Sequence, residues 1–560
     1  MSNNSSPASI TFLWHMHQPL YKNPEDGSYL LPWVRLHATK DYFDMAALIE
    51  AVPQMRAVIN FVPSLFVQLE DYAKGIAKDP FLEYSSKPVS KLTDKEKLFL
   101  LNNFFTVNKK RRIDPSARYN ELWKKKAQAG SEPEKLLNSF SLEDYSDLQV
   151  LFNLAWCGPT LRKDAQVAAL VAKDRSFTQK EKELLLAKQQ ELISRIIPTY
   201  KRLQEKGRIE VSVSPFYHPL LPLLCDSYSA EEAQPGITLP RSRFTYPEDA
   251  EEQIHLALQY YRQLFGTEAQ GMWPPEGGVS NKALELVIRQ GLKWIATDES
   301  ILTKSASFGE KTIKEIESSF PSEKICSPYI YKTQQGEISI FFRNQALSNL
   351  ISFVYSSWDE EKAADDFFRQ LLALNSCLKE GPGPYIISII MDGENAWEYF
   401  PKGGEVFLLS LYQKIAACPQ FKPVTFSEFL STSGKGHQSS IAKILPGSWI
   451  NGNFSTWIGE PVKNKAWDYL YQARKALEEF VARLSPEEKK QKRKAIEKAL
   501  KTIYVAEGSD WFWWLQSGQQ AENERKFSII MKLHLIEVYK ALGLEIPAYL
   551  RDIHSIKWEL

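Results

Sequence analysis

The sequence of 560 residues predicts an α/β barrel of eight βα units or slightly fewer. Two observations lead to this prediction: short apolar runs end in polar or Gly/Pro-rich loops, and most are followed by helical periodicity, as at 281–290 and 363–379. The run YIISIIM is apolar throughout, as a strand covered on both faces should be. The seven candidate strands are 10–14, 57–62, 209–214, 271–273, 294–297, 338–343 and 385–391.

Two further regions are predicted to be helical. Between the second and third strands lies a stretch rich in Lys, Glu, Leu and Ala, which we interpret as a helical insertion at about 85–205. Its basic cluster at 109–112 is surrounded by acidic residues, which favours a solvated helix face. Long helices are predicted at 463–484, 486–505 and 522–542. We therefore expect a barrel with its insertion in 1–435, and a C-terminal helical region in 436–560.

Composition and charge exclude several classes of function. The chain is 44% apolar, and 69 Lys and Arg balance 68 Asp and Glu to a net charge of +1, so neither disorder nor a nucleic-acid or membrane partner is expected. No stretch approaches the length of a membrane span, and the first twenty residues contain no Lys or Arg, which favours a cytoplasmic protein. Five scattered Cys without a C-x-x-C pair oppose a disulfide framework or a zinc cluster.

The first strand ends in the segment TFLWHMHQPLY, which carries two histidines. A period of two places His15 and His17 on the same side, facing the barrel interior or mouth. The H-x-H spacing is compatible with a metal, but the sequence has no H-x-x-x-H or H-E-x-x-H motif and no nearby Cys. We expect hydrogen bonding to a polar substrate; the alternative is a core histidine bonded to the backbone.

Two carboxylates follow later strands. Glu276 lies in the stiff-then-flexible loop WPPEGG, where barrel active sites are built, although it could instead favour the N-terminus of a helix beginning near Ser280. Asp392 directly follows the apolar strand 385–391, although Asp also favours turns and caps. Together with the aromatic content, which includes 15 Trp, this pair fits glycoside hydrolysis, in which one carboxyl is the nucleophile and the other the acid/base. Nucleotide-binding and serine-hydrolase motifs are absent from the sequence.

Five segments together resemble, in order, the five signature regions of glycoside hydrolase family 57. They are HMHQPLY (15–21), GRIEVSVSPFYHPLLPLL (207–224), GMWPPEGGVS (271–280), MDGENAWEYF (391–400) and AEGSDWFWW (506–514). The third, fourth and fifth are most similar to the α-amylase and amylopullulanase group, with WINGNFSTWIGEPVKNKAWDYL (449–470) as a further match.

The resemblance implies a distorted (β/α)7 barrel followed by a helical region, and retaining chemistry on α-glucans without a nucleotide or redox cofactor. The barrel of 1–435 is then expected to be catalytic, with the helical region of 436–560 contributing to the active-site cleft, and no metal is expected. The resemblance also implies that Glu276, ionised, is the nucleophile and that Asp392, protonated, is the acid/base. His17 matches a histidine near the sugar bound beside the nucleophile. Positions matched to substrate binding or site support are His15, Gln18, His218, Trp273, Trp457, Asp510 and Trp511.

The expected substrate is an α-glucan or malto-oligosaccharide, cleaved by hydrolysis at α-1,4 linkages, with cleavage of α-1,6 linkages left open. Alternatives are a 4-α-glucanotransferase-type transglycosylase, a non-catalytic glucan-binding protein, and a metal-dependent deacetylase-like barrel that uses His15 and His17. Asn344 and Asn349 stand where related members often have Asp, which leaves linkage preference open. The sequence predicts no oligomeric state.

Overall fold

Seven parallel strands curl into a barrel in the computed structural model, which describes residues 7–306, 321–378, 383–432, 438–515 and 521–551. Their order around the barrel is β8, β1, β2, β3, β4, β5, β7. Every one of the seven predicted runs forms one of these strands, and the α/β barrel prediction is confirmed. The strands are β1 Ala8–Met16, β2 Ala57–Phe61, β3 Ile209–Val213, β4 Gly271–Met272, β5 Trp294–Asp298, β7 Gly336–Arg343 and β8 Ile386–Asp392.

The barrel is distorted where β7 meets β8, since these two strands do not pair as a ladder. One backbone bond from Asn344 N to Ser388 O (2.8 Å) joins them, and Arg343 Nε donates to Ile390 O at 2.7 Å. A side chain thus replaces part of the missing ladder. Three short strands were not predicted: β6 Tyr329–Thr333, antiparallel to β7, β9 Phe421–Pro423, beside β1, and β10 Ser439–Ile441, beside β6.

The barrel interior changes from apolar to polar toward the carboxyl ends of its strands. Leu13 and Val58 belong to a buried cluster with aromatic side chains of β5 and β7. Two residues further along the same strands, His15 Nδ1 and Asn60 Oδ1 are 2.6 Å apart. Asn60 also bonds the hydroxyls of Ser212 in β3 and of Ser214 just after it. Because a strand alternates its faces, the row that packs the core becomes the row that lines the site.

The insertion after β2 is built from helices, and its basic cluster lies in a π-helical turn, Lys109–Ile113. Lys109 and Lys110 are exposed as predicted, whereas Arg111 and Arg112 are half-buried, so the solvated-face prediction is wrong for the two arginines. The helices between β2 and β3 are Pro63–Ala73, Pro80–Ser86, Asp94–Asn103, Ala117–Ala129, Pro133–Ser139, Leu142–Ala155, Pro159–Arg162, Ala165–Lys173 and Gln179–Glu205.

Helices also cover the outside of the barrel and follow it. Those around the barrel are Trp33–His37, Phe43–Ala51, Leu221–Cys225, Ser229–Ala233, Pro247–Phe265, Asn281–Arg289, Glu299–Ala306, Ser322–Ile325, Gln345–Asn349, Glu360–Leu378, Glu405–Ala417 and Phe426–Thr432. Those that follow are Pro461–Ala482, Pro486–Gln491, Arg493–Ala506, Ser509–Trp514, Ala521–Leu542 and Ala548–Arg551. The predicted boundary at 435/436 lies outside the described residues. Within the described ranges, no helix is both long and apolar enough to cross a bilayer.

Candidate active site

A cavity of about 320 Å³ opens at the carboxyl ends of the barrel strands. It brings together seven of the residues singled out in the sequence: His15, His17, Gln18, His218, Glu276, Asp392 and Asp510. The rest of its lining is largely aromatic, and includes Trp33, Trp449, Trp513, Trp514 and Phe527.

The backbone of Glu276 is strained. The residue follows β4 in a short 3-10 turn, Pro275–Gly277, and has φ 58° and ψ 22°, a left-handed conformation that costs a non-glycine residue about 1 to 2 kcal/mol. Gly277 is also left-handed, and a Cβ there would lie 3.0 Å from the Trp273 ring. Strain of this kind is typical of functional sites, where the surrounding packing holds it.

Two donors hold the carboxylate of Glu276. Trp449 Nε1 donates to Oε2 at 3.0 Å, and the Ser509 hydroxyl donates to Oε1 at 2.9 Å. The helix Asn281–Arg289 is capped instead by Ser280, whose hydroxyl accepts from Ala283 N at 3.2 Å. The Glu276 carboxylate therefore does not cap this helix.

Burial raises the pKa of Glu276 to about 8, and the charges of Asp510 and Asp392 add to this shift. The bonds from Ser509 and Trp449 oppose it because they favour the ionised form. The nucleophile role predicted for Glu276 requires the ionised form, which this pKa favours above about pH 8.

Asp392 ends β8 and lies opposite His15 in the register with β1. Its Oδ2 accepts from Asn395 Nδ2 at 2.8 Å. Burial raises the pKa of Asp392, while the Asn395 bond and the charges of His17 and Arg343 oppose the rise. A raised pKa is what a general acid requires, because the carboxyl must carry a proton at the working pH.

Three histidine rings stack at the floor of the site. The ring centroids of His17 and His218 are 3.9 Å apart, and those of His15 and His218 are 5.0 Å apart. Burial lowers the pKa of His15 to about 3 and that of His218 well below its usual range, so both rings are neutral. Neutral, stacked imidazoles can present donors and acceptors to a substrate without adding charge.

His17 is fixed from two sides. Its Nε2 lies 2.8 Å and 2.9 Å from the two carboxylate oxygens of Asp510, so Nε2 carries the proton. Its backbone N–H donates to Glu394 Oε1 at 3.1 Å, and Gln18 Nε2 donates to the same oxygen at 3.4 Å. Glu394 is buried, which raises its pKa well above the usual range.

His17, His218 and Asp510 form the one group in the described part of the chain whose ligand atoms could share a metal ion, all lying within 4.8 Å of one another. The geometry of the two rings is unfavourable for this. An imidazole nitrogen binds a metal along its ring plane, and these two planes are stacked at 22° to each other. Two such directions converge poorly on a single ion.

Three tryptophans singled out in the sequence do not line the cavity. Trp273, Trp457 and Trp511 are fully buried behind it. Trp273 packs edge-on against Trp449 with centroids 5.3 Å apart, and Trp457 packs against Trp513 at 5.9 Å. These contacts support the aromatic lining rather than forming it.

Sequence reasoning missed several residues of the site, above all Trp449, Ser509 and Glu394. Each lies inside a segment that had been noted, at 449–470, 506–514 and 391–400. No local sequence pattern links Trp449 or Ser509 to Glu276, because they lie 173 and 233 residues further along the chain.

Comparisons with known proteins agree with this fold. The model of the family "Glycosyl hydrolase family 57" matches residues 11–441. A 1,4-α-glucan branching enzyme of Thermococcus kodakarensis is 23% identical over 403 residues, which are 60% of this chain and 54% of that protein. The match thus spans about half the length of this curated relative.

Several solved structures share the fold, among them a branching enzyme and an α-amylase. The branching enzyme from Thermococcus kodakaraensis superimposes with a TM-score of 0.60 at 16% identity, covering 95% of this chain and 90% of that one. The α-amylase AmyC from Thermotoga maritima does so with a TM-score of 0.57 at 14% identity, covering 99% and 98%. At these identities the likeness is one of fold. The family match extends over most of the sequence, and the chain belongs to glycoside hydrolase family 57.

Proposed function

We propose that this protein cleaves α-glucans with retention of configuration, with Glu276 as nucleophile and Asp392 as general acid and base. The observation that carries the proposal is the position of Glu276, which lines one cavity together with Asp392. Its backbone is strained, and Trp449 and Ser509 hold its carboxylate. Two carboxyls in one cavity, one of them held by two donors that favour its ionised form, are the groups that retaining glycoside hydrolysis needs.

In the first step, a carboxylate oxygen of ionised Glu276 attacks the anomeric carbon of the bound sugar. The bond from that carbon to the glycosidic oxygen breaks, and Asp392 gives its proton to the leaving oxygen. The product is a sugar esterified to Glu276. The shortened glucan leaves with the proton of Asp392.

In the second step, the oxygen of a water molecule or of a sugar hydroxyl attacks the same carbon and passes its proton to Asp392. The ester bond to Glu276 breaks, which returns the carboxylate and the protonated Asp392. Two inversions give net retention. At the start of the second step Asp392 is ionised and can accept this proton. Glu276, now an ester, carries no charge beside it.

The lining of the cavity fits a sugar. Trp33, Trp449 and Trp513 offer flat apolar faces, while Gln18 and Asn395 offer amides to hydroxyl groups. The names of the relatives, 1,4-α-glucan branching enzyme and α-amylase, support an α-glucan as the substrate class. Hydrolysis of α-1,4 linkages is the proposed reaction, and cleavage of α-1,6 linkages is an open addition that the pullulan assay below tests.

Transfer to a second glucan is the other candidate outcome. The curated relative that matches this chain is named a branching enzyme, and the sequence resemblance was to amylases. Both reactions share the first step and differ only in the acceptor of the second. A 4-α-glucanotransferase-type reaction would use a glucan hydroxyl where a hydrolase uses water.

Product analysis distinguishes these outcomes. The purified protein is incubated with maltoheptaose, pullulan or amylopectin, alongside Glu276→Gln and, as a matched control outside the cavity, Glu285→Gln. Shorter products alone indicate a hydrolase, pullulan cleavage adds α-1,6 activity, and longer chains indicate a transferase. Sugar binding without turnover by the folded wild type would contradict the proposal and favour a non-catalytic glucan-binding protein.

A further inference from the structure

A second cavity, of about 440 Å³, adjoins the first. The two cavities share four lining residues: Asp392, Asn395, Trp449 and Trp513. Glu276 lines only the first cavity, whereas Asp392 lines both. The proposed acid/base therefore stands at the junction, with the proposed nucleophile on one side of it.

The second cavity combines aromatic rings with amides. Phe353 is 78% exposed and Tyr399 is 56% exposed, so both rings are accessible to a ligand in this cavity. Gln345, Asn349 and Asn451 supply amide groups along the same cavity. Flat apolar faces beside neutral donors and acceptors match the two faces of a sugar ring.

The one arginine of this cavity has its charge satisfied within the protein. Arg343 Nη1 lies 3.1 Å from Asp298 Oδ2, and its Nη2 donates to Asn349 Oδ1 at 2.8 Å. The arginine is buried, and its Nε also donates to the Ile390 carbonyl. A neutral ligand suits the cavity better than an anion.

We propose that the second cavity binds the glucan segment on the leaving-group side of the cleaved bond, with Phe353 and Tyr399 as stacking platforms. This proposal rests on the proposed function. A bond cleaved between the cavities would leave one sugar on Glu276 in the first and place the departing oxygen beside Asp392, with its chain in the second. In a transfer reaction the acceptor glucan would occupy the same cavity.

The rim of this cavity is held by the insertion after β2. Arg111 Nε donates to Tyr399 O at 2.9 Å, and Arg111 Nη2 donates to Ser356 O at 3.1 Å. One guanidinium thus ties the loop after β8 to the segment that follows Phe353. Arg111 is a positioning residue in this proposal, since it acts on the spacing of the two platforms.

The test compares two substrates with different leaving groups. Maltoheptaose needs the leaving-group side, whereas α-maltosyl fluoride releases fluoride and does not fill it. The double variant Phe353→Ala/Tyr399→Ala should lower kcat/KM for maltoheptaose about 5- to 30-fold, the scale of one or two aromatic contacts, and leave fluoride release unchanged. Tyr228→Ala, which removes a 42% exposed ring elsewhere, is the matched control.

A second readout follows the acceptor. With α-maltosyl fluoride as donor and added maltose, the double variant should form less transfer product than the wild type at equal fluoride release. An equal loss on both substrates, or no loss on either, would overturn the subsite. A wild type inactive on both substrates would contradict the proposed function itself and remove the subsite with it.

Discussion

The hydroxyl of Ser509 lies 2.9 Å from Glu276 Oε1 and also 2.9 Å from His218 Nδ1. The serine proton goes to the carboxylate, so His218 donates from Nδ1 and its Nε2 is left as an acceptor. A residue from the helices after the barrel thus links a neutral histidine to the proposed nucleophile. Its bond favours the ionised form that attack requires.

Ser509→Ala should lower kcat/KM about 10- to 100-fold, because a hydrogen bond to a charged group is worth roughly 1.5 to 3 kcal/mol. The same change should move the acidic limb of the pH profile to higher pH, because Glu276 loses a donor that lowers its pKa. Ser509→Thr keeps the hydroxyl and should recover part of the activity. A loss of activity in the alanine variant without a shift of the limb would argue for a purely structural serine.

The pH dependence of the free enzyme should show a high acidic limb. Glu276 must be ionised to attack, and its pKa is raised to about 8, so kcat/KM should rise with pH up to about 8. α-Maltosyl fluoride isolates this limb, because fluoride leaves without needing the proton of Asp392. A limb centred near 4.5, the ordinary value for Glu, would contradict the effect of burial.

Glu276→Gln should stabilise the folded protein at alkaline pH. A carboxyl whose pKa is higher folded than unfolded costs stability as pH rises, here from about 4.5 through about 8. The glutamine cannot ionise, so its free energy of unfolding at pH 8 should exceed that of the wild type by about 1 to 3 kcal/mol. Chemical denaturation at pH 5 and pH 8 measures this; an equal gain at both values would point to packing instead.

Azide should distinguish the roles of the two acids. With α-maltosyl fluoride, Glu276→Gly leaves room for azide on the nucleophile side and should yield the β-azide. Asp392→Gly keeps the ester intermediate and should yield the α-azide, since azide then takes the place of water. NMR of the products reads the configuration, and exchanged outcomes would exchange the assigned roles.

Arg111→Gln should raise KM for maltoheptaose severalfold with little change in fluoride release from α-maltosyl fluoride. The reason is that Arg111 holds the carbonyls of Tyr399 and Ser356, which fix the rim of the second cavity. Lys110→Gln removes the same charge from an exposed neighbour and is the matched control. An equal effect of both variants would reduce the role of Arg111 to its charge.

Much of the fold and part of the site follow from local sequence. The seven strands are short apolar runs closed by turn residues, a pattern that each segment carries by itself. Glu276 and Asp392 directly follow such runs, and because the carboxyl ends of parallel strands meet at one end of a barrel, their presence in one cavity could be expected. Their catalytic roles stay a prediction.

Tertiary structure decided what local sequence does not encode. The donors to Glu276, Trp449 and Ser509, come from segments 173 and 233 residues further along the chain. The pKa of Glu276 departs from its ordinary value because it depends on burial and on nearby charges, which exist only once the chain is folded. The packing of Trp273 behind the cavity also depends on the folded chain. Arg111 lies in a basic cluster that predicts a solvent-exposed side chain, but in the fold it donates to two distant carbonyls.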